Sequence, residues 1–263
     1  QGRRSVEKLI IGRDEYRDKV YGCWLGKNIG GTLGAPLEGL RHTHALTFYE
    51  PVPEKSAPND DLDLQLVWLH MLEEAGTDPS VRTFADYWGR CAARYPWNEY
   101  GFFMRNYERG LRPPVAGCFE NYFVDEMGAP IRSEIWACLH PGDPQAAARM
   151  AWKDAALDHA GGEGMYGEMF WAAVQAAAFV ESDPTVLIRI GLSMIPLSSH
   201  LGRAVRDRFE RGVEERLEVS GLIREQPRQH VMSRAGGRGH FAPGASAGID
   251  SLGLFQLVER CFI

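Results

Sequence analysis

The sequence predicts an all-α protein, and three observations carry that prediction. Apolar residues recur at three- or four-residue spacing through most of residues 14–220, as the buried stripe of a helix requires. No convincing run alternates apolar and polar residues as a half-buried strand would. The periodic stretches open on Asn, Thr or Asp and close on Gly or Pro, the punctuation of helix ends. Residues 221–263 lack this pattern. Ser233-Arg234-Ala235-Gly236-Gly237-Arg238-Gly239 and Pro243 to Gly248 are rich in small and turn-forming residues, and only Leu252 to Val258 reads as helical. The expected organisation is a compact helical domain over 14–220 and an atypical, weakly ordered tail over 221–263.

Asp14-Glu15-Tyr16 opens the first helix, which carries Val20, Trp24 and Leu25. Gly22, Gly26, Gly30 and Gly34 recur along it every four residues. Glycine is costly in a helix, so this stripe implies the close approach of another backbone or of a ligand. Lys27 and Asn28 interrupt the face too soon for a membrane span. Pro36 ends the helix and leaves Glu38 in a loop. Residues 40–57 read as a further loop around Thr47-Phe48-Tyr49.

Asn59-Asp60-Asp61 stands where the next helix begins, with Leu62, Leu66, Leu69 and Leu72 on its stripe and Gly76 at its close. Two readings remain open. Asn59 is a good N-cap, and acids in the first turn suit the helix dipole. Capping needs only one of the two acids, however, and adjacent carboxylates repel. A hard cation such as Mg²⁺, Mn²⁺ or Ca²⁺, which takes carboxylate and amide oxygens, would relieve that repulsion.

Val81 to Tyr95 predicts a helix with Thr83 as its cap. Tyr95 to Phe103 is aromatic and non-periodic, either a loop pinned by buried rings or a stacking wall for a base or sugar. Gly110 to Gly128 is too rich in Gly, Pro and Asn for a helix. Gly128 to Glu134 is a polar cluster in which Arg132, just after a turn, is a candidate phosphate contact. Residues 145–159 predict an Ala-rich helix ending at Asp158-His159, where His159 suits a helix C-terminus. Gly164 to Val180 is strongly apolar core. Asp183-Pro184 caps another helix, bearing Ile188, Leu192 and Ile195, and Arg203 to Glu218 is charged and amphipathic.

Composition sets the outer bounds. The 263 residues are 44% hydrophobic and 24% charged, enough to bury a sizeable core. A formal charge of −6 gives no general affinity for nucleic acid or anionic membrane, so neither is an expected partner. Five scattered cysteines without a C-x-x-C pair point to reduced thiols in a cytoplasm. No transmembrane run or signal peptide is visible. The chain begins at Gln1, which implies a fragment or a processed form.

Four separated segments together resemble the ADP-ribosylglycohydrolase family. They are Gly22-Cys23-Trp24-Leu25-Gly26 through Glu38, the Asn59-Asp60-Asp61 triplet, Gly128 to Trp136, and the Asp158-His159 helix end with the Ala-rich helix after it. The resemblance implies an orthogonal multi-helix bundle with two divalent metal ions, Mg²⁺ or Mn²⁺, that cleaves the glycosidic bond at ribose C1″ of ADP-ribosylated protein or a small ADP-ribosyl ligand. It further implies Asn59, Asp60 and Asp61 as metal ligands, Glu38 as the catalytic carboxylate, Gly128, Arg132 and Ser133 at the ADP-ribose phosphates, and His159 at the border of the site. Two departures stand out. Gly31 occupies a position where many members carry Asp. The C-terminal metal motif is reduced to Gly248-Ile249-Asp250-Ser251-Leu252, which leaves Asp250 to complete the site and the C-terminal part incomplete. The alternative these departures raise is a catalytically inactive ADP-ribose-binding relative or a truncated fragment.

Overall fold

This computed structural model describes residues 11–40, 47–48, 52–55, 59–92 and 98–225, with side chains through residue 212. Helix α1 spans Arg13–Gly34 and passes into a 3-10 turn at Ala35–Leu37, where Pro36 stops it. Then come α2 (Asp60–Ala75), α3 (Val81–Tyr87), α4 (Asn98–Glu108) and the single turn α5 (Val115–Cys118). A 3-10 turn at Pro130–Arg132 leads into α6 (Glu134–Leu139). Helices α7 (Pro144–Ala155), α8 (Glu163–Ala177), α9 (Pro184–Leu192) and α10 (His200–Glu225) complete the order. The described residues contain no strand, so the fold is all-α. None of their helices is long and apolar enough to cross a membrane.

Local chemistry explains most helix ends. Asn59 is in extended conformation and its Oδ1 accepts the Asp61 N–H at 2.9 Å, so the capping reading of this residue is realised. Asp143 and Asp183 cap α7 and α9 in the same way, each followed by Pro at the first helical position. The cap of α3 is Ser80, not Thr83, because the Ser80 hydroxyl lies before the first turn and accepts the Thr83 N–H at 3.2 Å. That helix is also shorter than its periodicity predicts. It gives way to a π turn at Trp88–Ala92, and residues 93–95 lie outside the described residues.

Two predicted loops contain helix. Residues 98–103 belong to α4, which starts from Asn98 in the left-handed region at φ 50° and sends Tyr100 and Phe103 into the core. One turn of helix, α5, interrupts Gly110 to Gly128, because the chain after Pro113-Pro114 packs Ala116 and Gly117 inward. Helix α10 runs past Glu218 to Glu225, into the stretch set apart by composition.

The core gathers large rings from successive elements. Trp68 of α2 lies 4.9 Å from Phe84 of α3 and 5.7 Å from Trp88, and Phe84 lies 5.3 Å from Trp136 of α6. All four are fully buried. Alanines at 147, 151, 155, 172, 173 and 176 are buried on α7 and α8, whose small side chains let these two helices pack closely. The chain divides into two units, Gln1–Gly202 with α1 to α9 and Arg203–Ile263 with most of α10.

Two glycines of the α1 stripe, Gly22 and Gly34, stand in open space among the described residues. Nothing described lies within 4 Å of where a Cβ would stand on Gly22 or Gly34. Close approach occurs instead at Gly31, whose Cβ would stand 2.6 Å from Asn59 Nδ2. At Gly117 a Cβ would meet the backbone oxygens of Leu157 and Ala156 at 2.6 and 2.7 Å. Gly22→Ala is therefore expected to stabilise the protein by up to about 1 kcal/mol through helix propensity. Gly117→Ala is expected to destabilise it by roughly 2 kcal/mol or more through backbone displacement. Urea unfolding of both variants checks the contrast.

Candidate functional site

The start of α2 is a concentration of negative charge that the Lys27 ammonium offsets in part. Asn59, Asp60 and Asp61 are all half-buried. Burial raises the Asp61 carboxyl to about 6; the Lys27 ammonium opposes this, while the charges of Asp60, Glu134 and Glu38 reinforce it. Glu38 is exposed at the end of the 3-10 turn that follows α1. Beneath Asp61, Gln65 ties the helix start to the rest of the protein. Its Nε2 donates to the Asp61 carbonyl at 3.0 Å, the Ile131 carbonyl at 3.1 Å and Glu134 Oε2 at 2.9 Å. Lys27 of α1 donates to the same Ile131 carbonyl and to Glu134.

A second polar cluster is sealed inside the helices. Arg132 Nε donates to Asp154 Oδ1 at 3.0 Å, and its two Nη groups donate to the two oxygens of Asp158, each at 3.0 Å. Glu168 Oε2 lies 3.9 Å from the guanidinium, which stacks 5.1 Å from the Trp88 ring centre. The Trp136 indole N–H is shared between Asp154 and Glu168. Burial and then the Asp154 charge drive the Glu168 carboxyl far up, and burial raises its neighbour Asp154 as well, against the pull of Arg132. Burial acts to raise Asp158 too, but the Arg132 and His159 charges outweigh it and bring Asp158 down to about 2. His159 Nδ1 lies 2.9 Å from Asp158 Oδ1, and its Nε2 is 3.8 Å from Glu99 Oε1. Glu99 fills the space above Gly128, where a Cβ would collide with it.

Tyr100 links the two clusters. Burial raises its phenol, Arg132 lowers it, and Asp158, Glu99 and Asp60 raise it further. One ring thus feels both the acidic helix start and the buried arginine. An apolar groove of about 720 Å³, lined by Pro114, Trp152, Met165, Met169 and Ile195, holds none of these groups and is not the candidate site.

The structure groups the predicted residues in a different way from the sequence reading. Asn59, Asp60 and Asp61 stand together, and Glu38 is close enough for its charge to act on Asp61. Gly128, Arg132 and His159 meet in the buried cluster. Arg132, Ser133 and His159 have no exposed surface. The N–H groups of Arg132 face two aspartates and the Gly128 carbonyl, so its charge holds the loop. Asp250 lies outside the described residues. Sequence reading missed Lys27, Gln65, Glu99, Tyr100, Glu134, Asp154 and Glu168. The available signal was charge inside apolar stretches, since Asp154 and Glu168 interrupt otherwise Ala-rich helices.

Oxygen donors fit a hard divalent cation in kind. The Asn59 carbonyl oxygen uses one lone pair on its cap and keeps a second. Among the described residues, no three His, Cys, Asp or Glu side chains converge as a group that could hold a metal ion.

The sequence model of the ADP-ribosylglycohydrolase family matches residues 12–255. The chain belongs to the ADP-ribosylglycohydrolase family. No match was found among curated proteins or among solved structures. Members of the ADP-ribosylglycohydrolase family are hydrolases that act on ADP-ribosylated substrates and generally depend on divalent metals. The ADP-ribosylglycohydrolase match takes in Asp250 as well as both polar clusters.

Two outcomes follow from these charges. Arg132→Met leaves buried carboxylates without their counter-ion and is expected to cost about 3–5 kcal/mol in urea unfolding. For Asp61 the folded pKa of about 6 lies above its ordinary 3.8. Its contribution to stability is therefore complete below the lower value and is lost as pH rises through the higher one. With chelator present, stability is expected to fall by on the order of 2 kcal/mol between these pH values. Asp61→Asn should remove that fall when melts are compared across the window.

Proposed function

We propose that the chain is a metal-dependent hydrolase that cleaves the glycosidic bond at ribose C1″ of ADP-ribosylated protein or a related ADP-ribosyl compound. The observation that supports this reading is the acidic start of α2 in a chain of this family, with Asp61 desolvated beside Asp60, Glu134 and Glu38. Asn59, Asp60 and Asp61 are the residues that would hold a two-metal centre of Mg²⁺ or Mn²⁺, with Asp250 as a further carboxylate from the C-terminal segment. Bound there, the cations would supply Lewis acidity toward the ribose hydroxyls and the developing charge at the anomeric carbon.

The chain's own groups do the rest. Glu38 is solvent-exposed and takes up the proton of the attacking water on a carboxylate oxygen. Its place at the end of a Pro-stopped turn limits its motion relative to α1. Gln65 and the Asn59 cap fix the first turn of α2, so the two aspartates are oriented before substrate arrives. Gly128 borders the ADP-ribose phosphates on a loop anchored by Arg132. The negative surface charge makes an anionic substrate depend on this local site. A cytoplasmic setting suits the scattered cysteines, which are free among the described residues.

The test is release of free ADP-ribose from arginine-ADP-ribosylated protein with Mg²⁺ or Mn²⁺, then with chelator. Metal-dependent release is expected, with a loss of at least about a hundredfold in Asp60→Ala/Asp61→Ala and in Glu38→Gln. No release by folded wild-type protein would turn the reading to an inactive ADP-ribose binder.

A further inference from the structure

Lys27 and Glu134 form a charge pair that the proposed reaction does not use. Lys27 Nζ lies 2.8 Å from the Ile131 carbonyl and 3.1 Å from both carboxylate oxygens of Glu134. The two side chains are only 10% and 15% exposed. Gln65, fully buried, holds Glu134 Oε2 and the Ile131 carbonyl with the same Nε2 that reaches the Asp61 carbonyl. Its Oε1 accepts the Ile135 N–H at 3.0 Å. Three separate segments, α1, the first turn of α2 and the start of α6, are therefore bolted together one helical turn below Asp61. Neither charge can swing away into solvent as a surface lysine or glutamate does.

We propose that Lys27 is the resident counter-ion of this acidic helix start, and that Lys27 and Glu134 together set how tightly it takes a divalent cation. The inference rests on the cation reading given above and deepens it. A cation entering at Asp60 and Asp61 is repelled by the Lys27 ammonium and attracted by the Glu134 carboxylate. In the intact pair the two effects offset each other. Removing either member leaves the other uncompensated, and a doubly charged ion feels that difference twice over.

Opposite signs separate this role from packing. A bolt that merely held the ligands in place would weaken cation binding whichever end was removed. A charge pair tightens binding when Lys27 is neutralised and weakens it when Glu134 is neutralised.

The experiment is calorimetric titration of the chelator-stripped full chain with Mn²⁺, with circular dichroism to verify folding. Relative to wild type, Lys27→Met is expected to bind Mn²⁺ about tenfold more tightly and Glu134→Gln about tenfold more weakly. The double variant should return near the wild-type Kd, and Lys27→Arg, which keeps the charge, should stay there. Lys27→Gln replaces Lys27→Met if the latter does not fold. Weakening in both single variants, or no change in either, overturns the inference while wild-type binding preserves the cation reading. A wild type that binds no Mn²⁺ overturns both.

Discussion

Arg132 carries a charge that has been taken completely out of water, and much of the first unit is arranged to make that tolerable. Desolvating an arginine costs several kcal/mol unless every N–H finds an acceptor. Asp154 comes from α7, Asp158 from the turn after it and Glu168 from α8, while Trp136 and Trp88 close the cage. One charge thus dictates where two helices and a loop must sit. A cluster like this is a poor source of net stability, but any misplacement of α7 or α8 would strand a buried charge, and such arrangements favour one packing over near alternatives.

The acidic start of α2 follows the opposite principle. There the carboxylates stay half-exposed and incompletely neutralised, on a backbone turn held by amide hydrogen bonds at Asp61. Lys27, held on Glu134 and the Ile131 carbonyl, offsets part of the repulsion. The loop from Gly128 to Ser133 connects the two clusters along the chain. Arg132 points from that loop into the core, while Ile131 offers its carbonyl to Lys27 and Gln65 on the other side. A short 3-10 turn therefore relays the rigidity of the core to the ionic site.

How far the sequence could be read depended on whether a signal was local. Helix starts at Asn59 and Asp183 were legible because capping involves residues two or three apart. Thr83 misled because Ser80, three residues earlier, supplies the same chemistry one turn sooner. The aromatic run after Tyr95 lost its loop character because Tyr100 and Phe103 gain more from the core than the local pattern shows. The surroundings of Arg132 were hidden for a related reason. A glycine-containing turn followed by arginine looks the same in sequence whether the guanidinium faces solvent or three carboxylates.

By itself the sequence determined the all-α class, most helix positions, and the acidic triplet that opens α2, because periodicity, caps and breakers act over one or two turns. It also held the separated motifs that mark an ADP-ribosylglycohydrolase. Only the tertiary structure decided which charges are buried and which face the site. Lys27 meets Glu134 across 107 residues, and Asp61 shares a hydrogen-bonded knot with Ile131 through Gln65. Pairings of that range are set by how the helices pack. The free energy of a charge depends on the groups that packing brings around it, not on its neighbours along the chain.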